Sequence, residues 1–291
     1  MSSWIAAAWA YFVGNGPTVP TNTATESARR VILLEGNIGA GKSTLCRVLD
    51  QYRRSHEMRT VMEQVGDAFT RLFYTDPARY GFAMQLALHG QRVAALRDAV
   101  VSSVGDVTTV LDRSVLGDWA FALWNAALGN MNSDEWAVYL ERAGDTPGAA
   151  LLQTNGATGV AAVLFLSDDP ASCHVRVHRR GGVDADAVTL EYLQGLEAAH
   201  LLVLNSIQPY RIPVIELHWA EYASTARAGA IAVALHTGLP QTLAPHNVLV
   251  DRFMWRNQRF NDALRAVSNA RARAFLAAEA KRLGVLVNCN V

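Results

Sequence analysis

The sequence of 291 residues contains little lysine, little cysteine and no long apolar run. Only Lys42 and Lys281 are lysines among its 26 basic residues. A lysine kept in such a sequence indicates a need for a compact ammonium group, which arginine does not supply. Three cysteines are too few for a disulfide scaffold and lack the spacing of metal ligands, which favours a reducing compartment. The apolar run at residues 4–13 is too short to span a bilayer, so we expect no membrane association.

Neither sign of charge dominates. The formal net charge is zero, 51% of the residues are hydrophobic and 18% are charged, as in ordinary soluble globular proteins. This balance argues against a nucleic-acid partner. Residues 1–25 carry no charge, so they lack the basic flank of a secretory signal and the arginines of a transit peptide. We therefore expect a cytoplasmic protein whose residues 1–28 form a flexible tail.

Five short runs rich in β-branched and apolar residues alternate with longer amphipathic stretches. The runs read VILLEG, RTVMEQV, VTTVLDRS, VAAVLFLS and IPVIELH. This alternation predicts an α/β fold in which a five-stranded parallel sheet is covered by helices on both faces. We expect the domain to span residues 29–237 and to bind ligands beyond the carboxyl ends of its strands.

The C-terminal residues 238–291 differ from the main domain in charge. Between positions 251 and 283, eight basic and three acidic residues give a net charge of +5, and their pattern predicts one or two helices. Docking of this basic helical extension on an acidic body is one interpretation. Contact with nucleic acid or another partner is the alternative.

A phosphate-binding loop directly follows the first predicted strand. The pattern G-x-x-x-x-G-K-[ST] is matched at every position by Gly36, Asn37, Ile38, Gly39, Ala40, Gly41, Lys42 and Ser43. Glycines at these positions let backbone N–H groups turn toward a polyphosphate at the start of the next helix. Lys42 is then expected to contact the β- and γ-phosphates, and the Ser43 hydroxyl to bind Mg²⁺. The loop predicts a protein that binds a nucleoside triphosphate, with a fortuitous glycine-rich turn as the competing interpretation.

Charged residues follow the second and third predicted strands. Asp112 has the place of a carboxylate that holds Mg²⁺, often through water. Glu63 is a candidate base for an acceptor hydroxyl. Arg113 is a candidate bridge between acceptor and phosphates, because its planar fork suits phosphate oxygens. The alternative for each residue is a surface charge that caps a strand.

A basic cluster follows the fourth strand. Arg176, Arg179 and Arg180 precede the pair Gly181 and Gly182. Three arginines beside a glycine hinge predict a lid that places positive charge on the transferred phosphoryl group and excludes water. A solvated basic helix is the alternative interpretation.

Together these motifs resemble the family of deoxynucleoside kinases related to deoxycytidine, deoxyguanosine and mitochondrial thymidine kinases. The resemblance covers about residues 30–222 and rests on the phosphate loop extended to Thr44, Glu63-x-Val65, Tyr74-x-Asp76-Pro77, Gln85, Asp112-Arg113-Ser114, the arginine lid, and Leu190-Glu191-Tyr192-Leu193 with His200. It implies that ATP is the phosphoryl donor, that Mg²⁺ is required, and that homodimers form through helices. It further implies that Glu63 is the base for the 5′-hydroxyl, that Tyr74 contacts the sugar 3′-hydroxyl, and that Gln85 hydrogen-bonds the base.

The sequence departs from the family pattern at several positions. Gln64 replaces the proline that usually follows the glutamate, and Met84 replaces the aromatic residue that usually precedes the glutamine. Ala122 stands where a stacking phenylalanine is expected, which predicts a wider pocket. In the lid, one extra residue separates Cys173 from the Leu190 motif, so that either Asp184 or Asp186 is the acidic residue expected at the 3′-hydroxyl.

Two further charges bear on the choice of base. Arg92 lies two helical turns after Gln85, and Asp118 begins the helix that follows Arg113, so the two charges are expected to meet at the floor of the pocket and to bond to the base. In the family, an arginine and an aspartate at these positions mark deoxycytidine and deoxyguanosine kinases. The resemblance thus implies a preference for deoxycytidine or purine deoxynucleosides over thymidine. A structural ion pair unrelated to the base is the alternative.

The residues and the resemblance together predict a deoxynucleoside kinase of nucleotide salvage. A nucleoside monophosphate kinase of the thymidylate type is the alternative enzyme, because it shares the phosphate loop and the Asp-Arg element. A GTPase switch is a weaker alternative, since the sequence lacks the [NT]-K-x-D guanine signature. A non-catalytic ATP-binding scaffold would leave Glu63, Tyr74 and Gln85 without a purpose.

Overall fold

The computed structural model describes the chain in eight stretches. These are residues 31–51, 58–63, 66–103, 107–154, 159–182, 185–218, 249–250 and 253–288. The predicted tail at residues 1–28, the predicted boundary between residues 237 and 238, and Asp184 lie outside the described residues.

The described strands form a single sheet. Their bounds are Val31–Gly36 for β1, Met58–Val61 for β2, Thr108–Asp112 for β3, Val160–Ser167 for β4, Val214–His218 for β5 and Leu249–Val250 for β6. The sheet order is β2-β3-β1-β4-β5-β6, and the first five strands run parallel, which confirms the fold predicted from the apolar runs. β6 pairs antiparallel with β5. The sequence pattern does not predict β6, because two residues held by backbone hydrogen bonds leave no side-chain periodicity.

The described residues also form ten α-helices. Their bounds are Lys42–Gln51 for α1, Asp67–Thr75 for α2, Pro77–Ser102 for α3, Val115–Leu128 for α4, Ser133–Ala143 for α5, Pro147–Gln153 for α6, Pro170–Arg180 for α7, Leu190–Ser206 for α8, Phe253–Ala266 for α9 and Ala270–Arg282 for α10. Within the described stretches, no helix has the length and apolarity that crossing a membrane requires.

Helices cover both faces of the sheet, because the strands bury apolar side chains on both sides. In β1, Val31 and Leu33 face a larger core, whereas Ile32 and Leu34 face a smaller one. Helices α3, α4 and α8 contribute to the larger core, and α1 and α7 to the smaller one.

The C-terminal helices join the larger core. Phe260 of α9 and Leu276 of α10 are fully buried there. Arg259 donates from Nη2 to Glu197 Oε1 at 2.6 Å and also pairs with Glu216. One arginine of the basic extension thus pairs with acidic residues of the body.

The strand order brings the residues that follow β1, β2 and β3 to the same edge of the sheet. In a doubly wound sheet, ligands bind beyond the carboxyl ends of the strands, near the point where the chain changes direction across the sheet. Here β1 lies between β3 and β4, so this point is next to Gly36.

Candidate active site

The loop between β1 and α1 has a backbone that requires glycine. Gly36 and Gly39 have φ angles of 146° and 77°. A Cβ atom would lie 2.6 Å from Leu166 O at Gly36 and 2.5 Å from Cys173 O at Gly39. Asn37 holds the turn, since its Nδ2 donates to Leu193 O at 2.8 Å. The loop is therefore packed tightly against β4, α7 and α8.

Lys42 points back into this loop. Its Nζ donates to Gly36 O at 2.9 Å and to Asn37 O at 2.7 Å. Burial, followed by the charge of Arg113, lowers the pKa of Lys42 to about 7. A polyphosphate bound beside the amine would favour its charged form, because a nearby negative charge stabilises an ammonium ion.

Ser43 and Asp112 meet across the edge of the sheet. Ser43 Oγ donates to Asp112 Oδ2 at 3.2 Å, and Asp112 Oδ1 is buried without a hydrogen-bond partner among the described residues. The described residues hold no group of three or more His, Cys, Asp or Glu side chains that could bind a metal ion by themselves. A hydroxyl and a carboxylate oxygen fit Mg²⁺, which uses few protein ligands and completes its shell with water and phosphate oxygens.

Glu63 lies between two arginines. Its Oε1 accepts from Arg92 Nε at 3.0 Å and from Arg92 Nη2 at 2.5 Å, and its Oε2 lies 3.0 Å from Arg113 Nε. Burial tends to raise the pKa of Glu63, but the charges of Arg92 and Arg113 outweigh it and hold the pKa below its ordinary value. The Glu63 side chain is 20% exposed, so the ionised carboxylate remains within reach of a ligand.

Arg113 is held in a strained conformation. Its φ of 67° lies in the left-handed region, which is unfavourable for a residue with a Cβ atom. Its backbone N–H donates to Leu34 O at 3.0 Å, and its Nη1 donates to Gly36 O at 3.2 Å. These bonds keep the guanidinium between Glu63 and the phosphate loop. Such strain is typical of functional sites.

Glu35 supports this turn from inside the sheet, although it belongs to none of the sequence motifs that predict the site. Its Oε1 accepts from Ser114 N at 2.8 Å, from Ser114 Oγ at 2.6 Å and from Gly117 N at 3.1 Å. Burial raises the pKa of Glu35. A glutamate within the apolar run VILLEG is the signal that could have indicated a buried acceptor.

The arginines predicted as a lid face the same site. Arg176 Nε donates to Gly39 O at 2.7 Å, and its Nη2 donates to Asp168 Oδ2 at 2.6 Å. Arg179 and Arg180, at the end of α7, line the cavity described next. The helix ends at Arg180, and the φ of 69° at the following Gly181 suits a residue without a Cβ atom.

A cavity of about 920 Å³ extends from the phosphate loop to the middle of α3 and α4. Tyr74, Met84, Gln85 and Arg92 line it. Further residues without a predicted role also line the cavity, namely Arg47, Thr70, Phe73, Leu88, Asn125 and Tyr192.

Ala122 and Asp118, which are expected near the base, do not line the cavity. Ala122 is fully buried, whereas Phe121 lines the cavity with its ring centroid 4.7 Å from the Arg113 guanidinium carbon. Asp118 is also fully buried and lies behind the cavity wall, where its Oδ1 accepts from Gln85 Nε2 at 2.6 Å and from Arg92 Nη1 at 2.9 Å. Asp186 does not line the cavity.

Comparisons with known proteins show what the chain is similar to. A sequence profile described as deoxynucleoside kinase matches residues 32–228. The chain is 26% identical over 211 residues to deoxycytidine kinase 2 of Gallus gallus, covering 64% of this chain and 77% of the relative. It is 29% identical over 209 residues to deoxyadenosine kinase of Dictyostelium discoideum, covering 70% and 79%.

A solved structure is similar in fold. Deoxyadenosine kinase from M. mycoides with bound dCTP superposes with a TM-score of 0.56 at 20% identity, covering 71% of this chain and 99% of that chain. At this identity, the similarity concerns the fold alone.

Proposed function

The chain belongs to the deoxynucleoside kinase family, and from this membership we propose that it transfers the γ-phosphoryl group of ATP to the 5′-hydroxyl of a deoxynucleoside in the cavity beside the phosphate loop. The observation that carries the proposal is the position of Glu63. Its carboxylate is held ionised by Arg92 and Arg113 in the wall of a cavity that also contains Lys42.

In the proposed reaction, Glu63 accepts the proton of the 5′-hydroxyl. The hydroxyl oxygen forms a bond to the γ-phosphorus, and the bond from that phosphorus to the bridging oxygen of ADP breaks. Positioning and charge stabilisation supply most of the rate in phosphoryl transfer, because charge spreads over the oxygens of the transferred group. Arg113 lies next to Glu63 and can contact that group directly.

The phosphates are the ligands proposed for the loop and the lid. Backbone N–H groups from Gly36 to Thr44 and the Lys42 ammonium would hold the triphosphate of ATP. Arg176, Arg179 and Arg180 would place positive charge on the transferred group and exclude water. Arg176 supports this role, because its bond to Gly39 O places the lid against the loop.

Mg²⁺ is proposed at Ser43 and Asp112, whose oxygens fit it as described above. When bound, the ion would neutralise charge on the ATP phosphates. The unpartnered Asp112 Oδ1 supports this assignment.

The deoxynucleoside is proposed to lie between α2, α3 and α4. Tyr74 would contact the 3′-hydroxyl, Met84 would pack on the base, and Gln85 would bond to its edge. Asp184 is proposed for the second contact to the 3′-hydroxyl, because Asp186, the other candidate, does not line the cavity.

We propose that the site prefers deoxycytidine or purine deoxynucleosides to thymidine. Asp118 supports this, because it pairs with Arg92 and accepts from Gln85, both of which line the cavity of about 920 Å³. Ala122 does not line that cavity.

The double variant Arg92→Met with Asp118→Ala tests the base preference. It removes both charges together, because leaving one buried charge unpaired would itself cost several kcal/mol. We expect the ratio of kcat/KM for deoxycytidine or deoxyadenosine to that for thymidine to fall. A wild-type enzyme that prefers thymidine, or an unchanged ratio in the double variant, would refute the preference.

We also propose a homodimer in the cytoplasm. Exposed apolar side chains on three helices support association, namely Val101 of α3, Val138 of α5 and Leu152 of α6, which are 75%, 41% and 47% exposed. Association buries apolar area, which is favourable.

A panel assay tests the activity itself. ATP and Mg²⁺ are supplied with each of the four deoxynucleosides and, separately, with each of their 5′-monophosphates. We expect 5′-monophosphates and ADP from the deoxynucleosides and no reaction with the monophosphates. Phosphorylation of thymidine monophosphate alone would identify a thymidylate-type kinase instead.

A further inference from the structure

We propose that His89 and Tyr139, which do not line the substrate cavity, act as positioning residues that hold Asp118 and thereby present Gln85 to the base as a hydrogen-bond acceptor. The proposal rests on the deoxynucleoside specificity proposed above, and it names what sets the orientation of the residue that contacts the base.

Asp118 is the centre of a buried group of donors. Its Oδ1 accepts from Gln85 Nε2 at 2.6 Å and from Arg92 Nη1 at 2.9 Å. Its Oδ2 accepts from Tyr139 Oη at 2.7 Å and from His89 Nδ1 at 2.9 Å. Both carboxylate oxygens are thus fully used, and neither can turn toward a ligand without breaking a bond.

This arrangement determines which way the Gln85 amide points. Gln85 Nε2 also donates to the backbone oxygen of Asp118 at 3.0 Å, so the amide nitrogen has two acceptors on Asp118. A carboxylate and a carbonyl oxygen accept but do not donate, which requires the amide nitrogen on this side. The Oε1 atom therefore faces the other way.

A second chain of bonds leads to the same orientation. Asn130 Nδ2 donates to Asn125 Oδ1 at 3.1 Å, which turns Asn125 Nδ2 toward Gln85 Oε1, 3.5 Å away. That distance is at the long limit of a hydrogen bond, so Oε1 keeps its capacity to accept from a ligand. Gln85 lines the cavity, so a base that bonds to Oε1 there must donate to it.

A fixed acceptor distinguishes among the bases. Cytosine and adenine carry an exocyclic amino group that can donate to it, and guanine carries a similar group beside a ring N–H. The thymine N–H also donates, but the carbonyl oxygens on both sides of it lie close to the acceptor and weaken that bond. A freely rotating amide could instead serve either kind of edge, so the orientation itself carries the selectivity.

His89 and Tyr139 are suited to holding Asp118 from outside the site. His89 lies on α3 and lines a separate cavity of about 390 Å³ rather than the substrate cavity. Tyr139 lies on α5 and stacks on Trp136, with ring centroids 5.5 Å apart. Burial, followed by the charge of Asp118, raises the pKa of Tyr139, so the phenol stays protonated and donates.

The test compares His89→Leu with His89→Asn, because the asparagine amide nitrogen can take the place of Nδ1. Tyr139→Phe, which keeps the ring and removes the hydroxyl, is a second route to the same effect. For each protein, kcat and KM are measured with deoxyadenosine, deoxycytidine and thymidine, together with the KM for ATP and the Tm.

We expect His89→Leu and Tyr139→Phe to lower the kcat/KM ratio of deoxyadenosine or deoxycytidine to thymidine by about three- to tenfold, the loss of one hydrogen bond. The change should arise in the nucleoside KM, with the KM for ATP unchanged, and His89→Asn should restore the ratio. An unchanged ratio in both loss variants, or an equal fall for all nucleosides, would overturn the proposal. A wild-type enzyme that phosphorylates no deoxynucleoside would instead overturn the function proposed above.

Discussion

At the residue scale, the base strength of Glu63 depends on a balance of opposing effects. Burial disfavours its charged form, while Arg92 and Arg113 favour it more strongly, and the net effect is a lowered pKa. A carboxylate of this kind is ionised at neutral pH and ready to accept a proton. Arg92 and Arg113 therefore also set the lowest pH at which Glu63 remains ionised and available as a base.

The pH dependence of kcat/KM tests this balance. Removing the Arg92 charge in the double variant Arg92→Met with Asp118→Ala should raise the pKa of Glu63, because one of its two stabilising cations is lost. The kcat/KM of the wild type should stay constant between about pH 5 and pH 7, whereas the kcat/KM of the double variant should fall toward pH 5. An identical acid limb in both proteins would mean that Arg92 does not set this pKa.

The residues that sequence patterns identify are those whose role is local. Lys42 and Ser43 occur at fixed positions of one loop, and Asp112 directly follows one strand. Glu35, His89 and the Tyr139 hydroxyl act instead on groups far along the chain, which only the packing of β1, α3 and α5 brings together. No spacing in the sequence records such contacts.

At the element scale, the five parallel strands follow from their apolar runs, but the role of the C-terminal helices does not. A basic amphipathic pattern predicts α9 and α10 as helices without indicating what they cover. The structure places α9 and α10 against α8 and α4, two helices that carry cavity residues. Helices α9 and α10 themselves lie beyond residue 228, where the family match ends. We therefore expect these helices to be part of the folding unit.

Phe260→Ala in α9 tests this expectation. Phe260 is fully buried in the larger core, so its truncation should lower the free energy of unfolding by about 3–5 kcal/mol. Arg265→Ala in the same helix is the control, because Arg265 is exposed and should change the value by less than about 0.5 kcal/mol. Urea unfolding of both variants provides the measurement. A Phe260→Ala protein as stable as the control would show that α9 is not part of the core.

At the scale of the whole molecule, the sheet order explains why one edge contains the chemistry. The carboxyl ends of β1, β2 and β3 bring the phosphate loop, Glu63 and Asp112 together. Helix α7, which follows β4, brings the lid arginines to the same cavity. A relative with 20% identity shares this scaffold, so the fold tolerates extensive change in sequence. The central claim is that Glu63 is the base at this edge.

Glu63→Gln tests that claim most directly, with Glu141→Gln as the matched control, since Glu141 is exposed on α5. Both purified proteins are compared with the wild type for ATP binding by calorimetry and for turnover of the preferred deoxynucleoside. We predict that Glu63→Gln binds ATP normally but turns over about a hundredfold or more slowly, the usual scale for a general base, while the control matches the wild type. Near-normal turnover by a folded Glu63→Gln protein would contradict the account.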